Sequence, residues 1–203
     1  MCEVANAHGK TIYGLRVAPA GVEETILTCS SDNTIKSWKF DAESNQLTEV
    51  KTIQQFEGAT EEISRQMLGL VCFEENGALQ TIGVNLGGDL VMTSGGAHTS
   101  TIIAQKDRPD ATAVGPDQTV YVSSETFIFA MKNGNMTRVS GITSNEKMKV
   151  LVSNEHSVYA GSVTGYIQKI NGESVSAQCH LGEFEVLDIS VSSDKLYVLS
   201  NRK

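Results

Sequence analysis

Apolar and polar positions alternate in short runs along most of the chain. The clearest succession lies near the N-terminus. There TIYGLRV, TILTCS and TIKSWKF follow one another, separated by a break at Pro19 to Gly21 and by a tight turn, SSDN. Alternation with period two sends successive side chains to opposite faces of a strand, and clusters of Gly, Pro, Asn, Asp and Ser between such runs mark turns. The pattern predicts four strands in each of four repeats. The first repeat uses residues 11–17, 25–30, 34–40 and 47–56, and the second 67–74, 78–85, 89–94 and 98–105. The third uses 111–116, 119–124, 126–131 and 136–142, and the fourth 147–154, 157–163, 165–170 and 175–181. A fifth repeat opens with strands at 186–193 and 195–201. Turns are expected at Asn76-Gly77, Lys132 to Asn135, Asn171-Gly172 and Ser192 to Asp194. Only EEISRQM has the composition of a short helical turn.

One slot recurs. Asp32 stands in the turn of the first repeat and Trp38 six positions later. In the second repeat Gly87-Gly88 make the turn and Thr93 takes the place of the tryptophan. Glu125 and Met131 occupy the two positions in the third, Thr164 and Ile170 in the fourth. The last three recur about every 38 to 39 residues, close to the ~40–45 of a propeller blade. The longer interval before Thr93 contains two polar insertions, DAESNQ and EGATEEISRQ.

The stretch from Ala7 to Trp38 resembles one WD40 repeat. It has a Gly-His-like opening at Ala7-His8, a Ser-x-Asp-x-Thr-Ile segment from Ser30 to Ile35, and Trp38 after Asp32. Ala7 replaces the family's glycine, and Lys39 replaces the aspartate of the Trp-Asp dipeptide. The resemblance implies a buried polar network: Asp32 accepts from His8, His8 meets Thr28, and Thr28 meets Trp38. The expected architecture is an all-β, WD40-like β-propeller in a single segment, 1–203. It has four complete blades, over roughly 7–55, 56–105, 106–142 and 143–180, and a partial fifth over 181–203. Such a segment is expected to be an incomplete ring or part of a longer propeller protein.

Composition narrows the function classes. Of 203 residues, 40% are hydrophobic and 20% charged, which suits a folded chain with a core. The formal net charge is −8 and no run of Lys or Arg stands out, so no nucleic-acid partner is expected. The opening MCEVANAHGK has neither a charged n-region nor an apolar h-region, and the longest apolar run, near Met67 to Phe73, is too short to span a bilayer. A cytoplasmic protein away from the membrane is the expectation. The cysteines, at 2, 29, 72 and 179, lack paired spacing. Cys29 and Cys72 fall in apolar strand patterns as buried thiols. Cys179-His180, with His156 upstream, lacks a fourth ligand, so no metal or cofactor is expected.

Candidate chemistry is sparse. His8 and Asp32 look like an acid/base pair, but their spacing fits the structural network. Glu61-Glu62 and Glu74-Glu75 are adjacent residues that point to opposite faces. Gly87-Gly88 and Gly95-Gly96 are not followed by the Lys-Ser/Thr of a phosphate loop, and there is no G-x-S-x-G elbow. Asn135-Met136-Thr137 matches a glycosylation sequon, expected to stay unmodified without secretion. No enzyme is expected. Positive charge gathers at Lys106, Arg108, Lys132, Arg138, Lys147 and Lys149. The first candidates for contact with an acidic partner are Lys106, Arg108, Lys132 and Arg138, the bland alternative being scattered solvated charge.

The order of motifs adds a narrower resemblance. ISRQM, then ATAVGP, then AGSVTGYI follow the well-formed repeat. The succession, over roughly residues 7 to 200, is similar to the start of the second propeller in the actin-interacting protein 1 family of WD-repeat proteins. That likeness implies a cytoskeleton-associated protein that binds actin filaments decorated by cofilin and promotes their disassembly, without catalysis. A generic WD40 scaffold for other proteins is the second class left open.

Overall fold

A computed structural model of the chain describes residues 4–23, 26–54, 66–75, 77–87, 90–94, 97–101, 109–124, 127–132, 135–143, 147–192 and 195–202. Among them are eighteen strands and no helix. EEISRQM, read as a possible helical turn, lies outside the described residues except for its last two positions. The chain divides into two compact units, Met1–Lys106 and Asp107–Lys203, at the border expected between the second and third repeats.

The first unit holds two four-stranded antiparallel sheets in simple chain order. One contains β1 (Ile12–Val17), β2 (Ile26–Ser30), β3 (Thr34–Asp41) and β4 (Gln46–Gln54). The other contains β5 (Met67–Glu75), β6 (Ala78–Asn85), β7 (Leu90–Ser94) and β8 (Ala97–Thr101). The second unit has two more such sheets. β9 (Pro109–Val114), β10 (Val120–Ser124), β11 (Phe127–Lys132) and β12 (Asn135–Arg138) form the first. β13 (Met148–Ser153), β14 (Val158–Ser162), β15 (Tyr166–Asn171) and β16 (Ser174–His180) form the second. A two-stranded sheet, β17 (Phe184–Val191) with β18 (Leu196–Arg202), completes the unit.

The cores lie between consecutive sheets. In the first unit Leu27, Cys29, Ile35 and Ile53 of one sheet meet Met67 and Leu70 of the next. In the second unit Tyr121, Ile128 and Ala130 meet Met148, Val158 and Ile170, while Ile167 packs with Val186 and Ile189. VYVSS of β10 is buried at every position, whereas β18, the second strand of the last sheet, leaves Tyr197 and Leu199 exposed. Small polar residues are tolerated in β10 because backbone partners surround them.

A feature below the resolution of the hydrophobic pattern unites the sheets. Each first strand carries one extra residue near its start, a β-bulge: Tyr13, Leu68, Asp110, Lys149 and Leu187. The pair just before each bulge sets a small polar residue at the end of the second strand, Ser30, Asn85, Ser124 and Ser162, or two residues short of it, Ser200. Ser30 Oγ accepts the Asp32 N–H at 3.0 Å, and Ser162 Oγ accepts the Tyr166 N–H at 2.9 Å, so this position caps the following turn. A bulge raises local twist and re-aims the strand at the rim of the sheet.

Several boundaries shift by one or two residues, among them β9 and β17, and one shifts further. The fourth strand of the third repeat ends at Arg138 rather than at 142. Gly141 adopts φ +78°, and Ser140 turns to the neighbouring sheet, donating its N–H to Glu173 O at 2.8 Å and accepting from Val175 N at 3.0 Å. Backbone pairing across sheets therefore wins over continuation of the strand.

Candidate functional site

The four residues of the expected network come together on the first sheet. Trp38 stands on β3 opposite Ile26, and its indole Nε1–H, which can only donate, reaches Thr28 Oγ1 at 2.9 Å. Thr28 Oγ1 lies 2.7 Å from His8 Nε2, and His8 Nδ1 lies 3.0 Å from Asp32 Oδ2. The donors fix the direction of the chain. Thr28 accepts from the indole and gives its own proton to Nε2, so the neutral imidazole carries its proton on Nδ1 and donates to the carboxylate. The His8 side chain has no solvent exposure.

Asp32 is the hub. Besides His8 it accepts the Gly9 N–H at 2.8 Å, the Thr34 N–H at 3.0 Å and the Thr34 hydroxyl at 2.6 Å. Partial burial opposes its ionisation, but the hydrogen bonds from Thr34, Gly9 and His8 outweigh that and hold the carboxyl down at about 2. Gly9, Ser30 and Thr34 were not assigned roles from the sequence. The Ser-x-Asp-x-Thr spacing is the signal that points to two of them.

The other sheets fill the tryptophan slot differently. Thr93, Met131 and Ile170 are all buried there, opposite Thr81, Val120 and Val158. The counterpart of Thr28 is then Gly83, Val122 or Ala160, so the hydroxyl relay belongs to the first sheet. Glu125, read as the acidic slot of the third repeat, lies outside the described residues.

The basic candidates are dispersed. Lys106 and Arg108 lie outside the described residues. Lys132 Nζ is 2.7 Å from Asp117 Oδ2, and the Arg138 guanidinium sits 3.7 Å over the Phe127 ring. Arg138 pairs with Phe129, and alternation along β11 puts Lys132 on the opposite face. Lys147 and Lys149 are paired with Asp110 and Glu185. Cys179 and His180 are exposed, and the His180 ring donates to Thr164 O at 3.1 Å and stacks on Tyr166. Among the described residues no group of three or more His, Cys, Asp and Glu is placed to hold a metal ion.

Four-stranded antiparallel sheets built on one bulged template are the blades of a β-propeller, and the chain has that fold. No protein-family model matches the chain, and no curated protein matches it in sequence. Among solved structures it is similar to BBS1N, seen in a crystal structure of BBS1N in complex with ARL6DN that was soaked with mercury. The TM-score is 0.72 at 11% identity, over 94% of this chain and 62% of that one. The likeness is one of fold, and the chain spans less than two thirds of that neighbour's length.

Proposed function

We propose that the protein is a non-catalytic, cytoplasmic WD40-type propeller that binds other proteins, and that its partners are actin filaments decorated by cofilin, whose disassembly it promotes. The observation that carries the WD40 assignment is the relay from Trp38 through Thr28 and His8 to Asp32, formed at the spacing of the family's repeat. The ordered motifs ISRQM, ATAVGP and AGSVTGYI support the actin-regulatory form of the proposal. Propeller blades present turns from a rigid frame, and rigid contacts bind with little ordering cost.

Electrostatics shapes the expected mode. The chain carries net charge −8, and actin is an acidic partner. Lys132 is paired with Asp117, which leaves Arg138, stacked over Phe127, as the described basic candidate without an ion pair. Cofilin, the more basic partner, then acts as the bridge. Co-sedimentation of the protein in its full-length context is expected to show little pelleting with bare filaments and clear pelleting once cofilin is added. Absence from both pellets, with folded protein, would replace this with the second proposal, a generic docking scaffold. That alternative draws on the solved neighbour, which was crystallised with a protein partner.

A further inference from the structure

The two strands of the last sheet fill the first two places of the common template. β17 carries the bulge at Leu187, and β18 sets Ser200 opposite the residue before it. In the other four sheets the second strand is paired on both sides, whereas among the described residues β18 is paired on one side only, by β17. Its run Leu196 to Leu199 holds no proline, no charge and no bulge, and Tyr197 and Leu199 are 57% and 61% exposed. A bare apolar edge, with its row of unpaired N–H and C=O groups, is a template for another strand.

The free edge has a floor. Ile167 of β15 packs against Val186 and Ile189 of β17, so its face of the β13–β16 sheet is the one turned to the last sheet. Cross-strand pairing puts Tyr159, Lys169, Ala177 and Cys179 on that same face. The first unit shows what covers such a floor. Ile53 stands opposite Ile35 as Cys179 stands opposite Ile167, but Ile53 is buried against the next sheet while Cys179 is exposed. Thr93, in the tryptophan slot of that next sheet, lines one cleft with Lys51, which stands opposite Ser37. Lys169, one residue before Ile170, holds the place of Ser37. The residue in the tryptophan slot of a strand added to β18 would therefore stand over Lys169. That lysine is half-exposed and makes no ion pair among the described residues, and its neighbours across the ladders, Tyr159 and Ala177, are uncharged.

We propose that the free edge of β18 binds an extended segment of a partner protein as an antiparallel third strand. The segment carries an apolar residue over Ile167 and Cys179 and, two residues later, a carboxylate over Lys169. The backbone ladder supplies affinity, and the two floor positions supply selectivity. A lone ammonium among uncharged neighbours favours one negative charge. The intervening residues of the segment are apolar, because they become the cross-strand neighbours of Tyr197 and Leu199. The site goes beyond the actin-regulatory reading and does not rest on it.

The test uses the full chain, ¹⁵N-labelled, titrated with a capped Thr-Val-Leu-Val-Glu-Thr peptide and with counterparts carrying Lys for Glu or Pro for Leu. The Glu peptide is expected to shift the amides of Tyr197 and Leu199, to slow their exchange with solvent, and to slow alkylation of Cys179 by iodoacetamide. The Pro peptide, which lacks a ladder donor, is expected to do none of these. Lys169→Glu is expected to bind the Glu peptide several-fold more weakly than wild type and the Lys peptide several-fold more tightly, a reversal that an unfolded variant cannot give. No shift at high millimolar Glu peptide, equal shifts with the Pro peptide, or the same order of peptides in Lys169→Glu as in wild type would each overturn the proposal. Protection of Cys179 that grows with protein concentration in the absence of peptide would make a second copy of the chain the occupant, and would overturn the assignment to a partner protein.

Discussion

The indole N–H of Trp38 donates to the hydroxyl of Thr28 at 2.9 Å, in a site where Trp38 is 2% and Thr28 7% exposed. Thr28 in turn serves His8, so one hydroxyl satisfies two buried groups. Thr28→Val keeps the shape and strands both the indole N–H and His8 Nε2. A loss of about 1–3 kcal/mol is expected, read as a lower denaturant midpoint at constant slope. Thr28→Ser is expected to recover most of it. An unchanged midpoint in Thr28→Val would show that the relay does not stabilise the sheet.

Asp32 links the same relay to pH. Its folded carboxyl, at about 2, lies below the ordinary value of 3.8. The unfolded chain therefore binds the proton first as pH falls. The contribution of Asp32 is complete above about pH 4 and is lost as pH drops through about 2, with a magnitude of about 2 kcal/mol. Asp32→Asn is expected to be less stable at neutral pH and to show a shallower loss of stability over that acid window. Unfolding free energies across the window, wild type against variant, measure it. Parallel curves would remove Asp32 as the source.

Much of this was legible in the sequence, for a physical reason. Alternating runs such as TIKSWKF bury one face, so their period announces the strand, and β3 spans Thr34–Asp41. The network was legible through the resemblance of Ala7-His8, the Ser-x-Asp-x-Thr-Ile segment and Trp38 to a WD40 repeat, which implies that His8, Thr28, Asp32 and Trp38 meet. The bulges were not. Whether Tyr13 or Leu68 is the extra residue depends on cross-strand register, which leaves no mark on the hydrophobic pattern. The small polar residue recurring at Ser30, Asn85, Ser124 and Ser162, which caps the turn at Ser30 and Ser162, was also missed, because small polar residues abound in the turns of this chain. The partners of the basic residues were equally hidden. Asp117 reaches Lys132 only after β10 and β11 fold back on one another, and Phe127 reaches Arg138 only across the β11–β12 ladder.

Gly161 on β14 offers a steric test of the packing within the second unit. A Cβ at this position would stand 2.5 Å from Val186 Cγ1 and 3.0 Å from Ile189 Cδ1, both in buried side chains of β17. Gly161→Ala is expected to cost about 1–3 kcal/mol through overpacking. Val186→Ala in the same chain removes the atom that is struck. The double variant should therefore be more stable than the two single losses added together, and a double-mutant cycle of unfolding free energies reads the difference. Simple additivity would mean that the two side chains do not share the site.

The cysteines separate by environment. Burial pushes the Cys29 thiol up to about 11, against the opposing pull of Arg16 and the Gly14 backbone, and burial likewise pushes Cys72 to about 11 against Arg16. Cys179 is exposed on β16. The thiolate is the nucleophile, and a thiol at 11 is ionised in only about one molecule in a thousand at pH 8. Burial adds a second barrier, complete at Cys29 and partial at Cys72, which is half-buried rather than buried as its apolar strand pattern suggests, because the reagent must reach the sulfur as well as find it ionised. Iodoacetamide at about pH 8 is therefore expected to modify Cys179 promptly in the folded protein and to leave Cys29 and Cys72 largely untouched, as mapped by peptide mass spectrometry. In denaturant Cys29 and Cys72 lose both barriers and are expected to react at rates close to that of Cys179. Labelling of Cys29 at the Cys179 rate under native conditions would mean that the core between the first two sheets opens readily, since Cys29 packs there with Leu27, Met67 and Leu70.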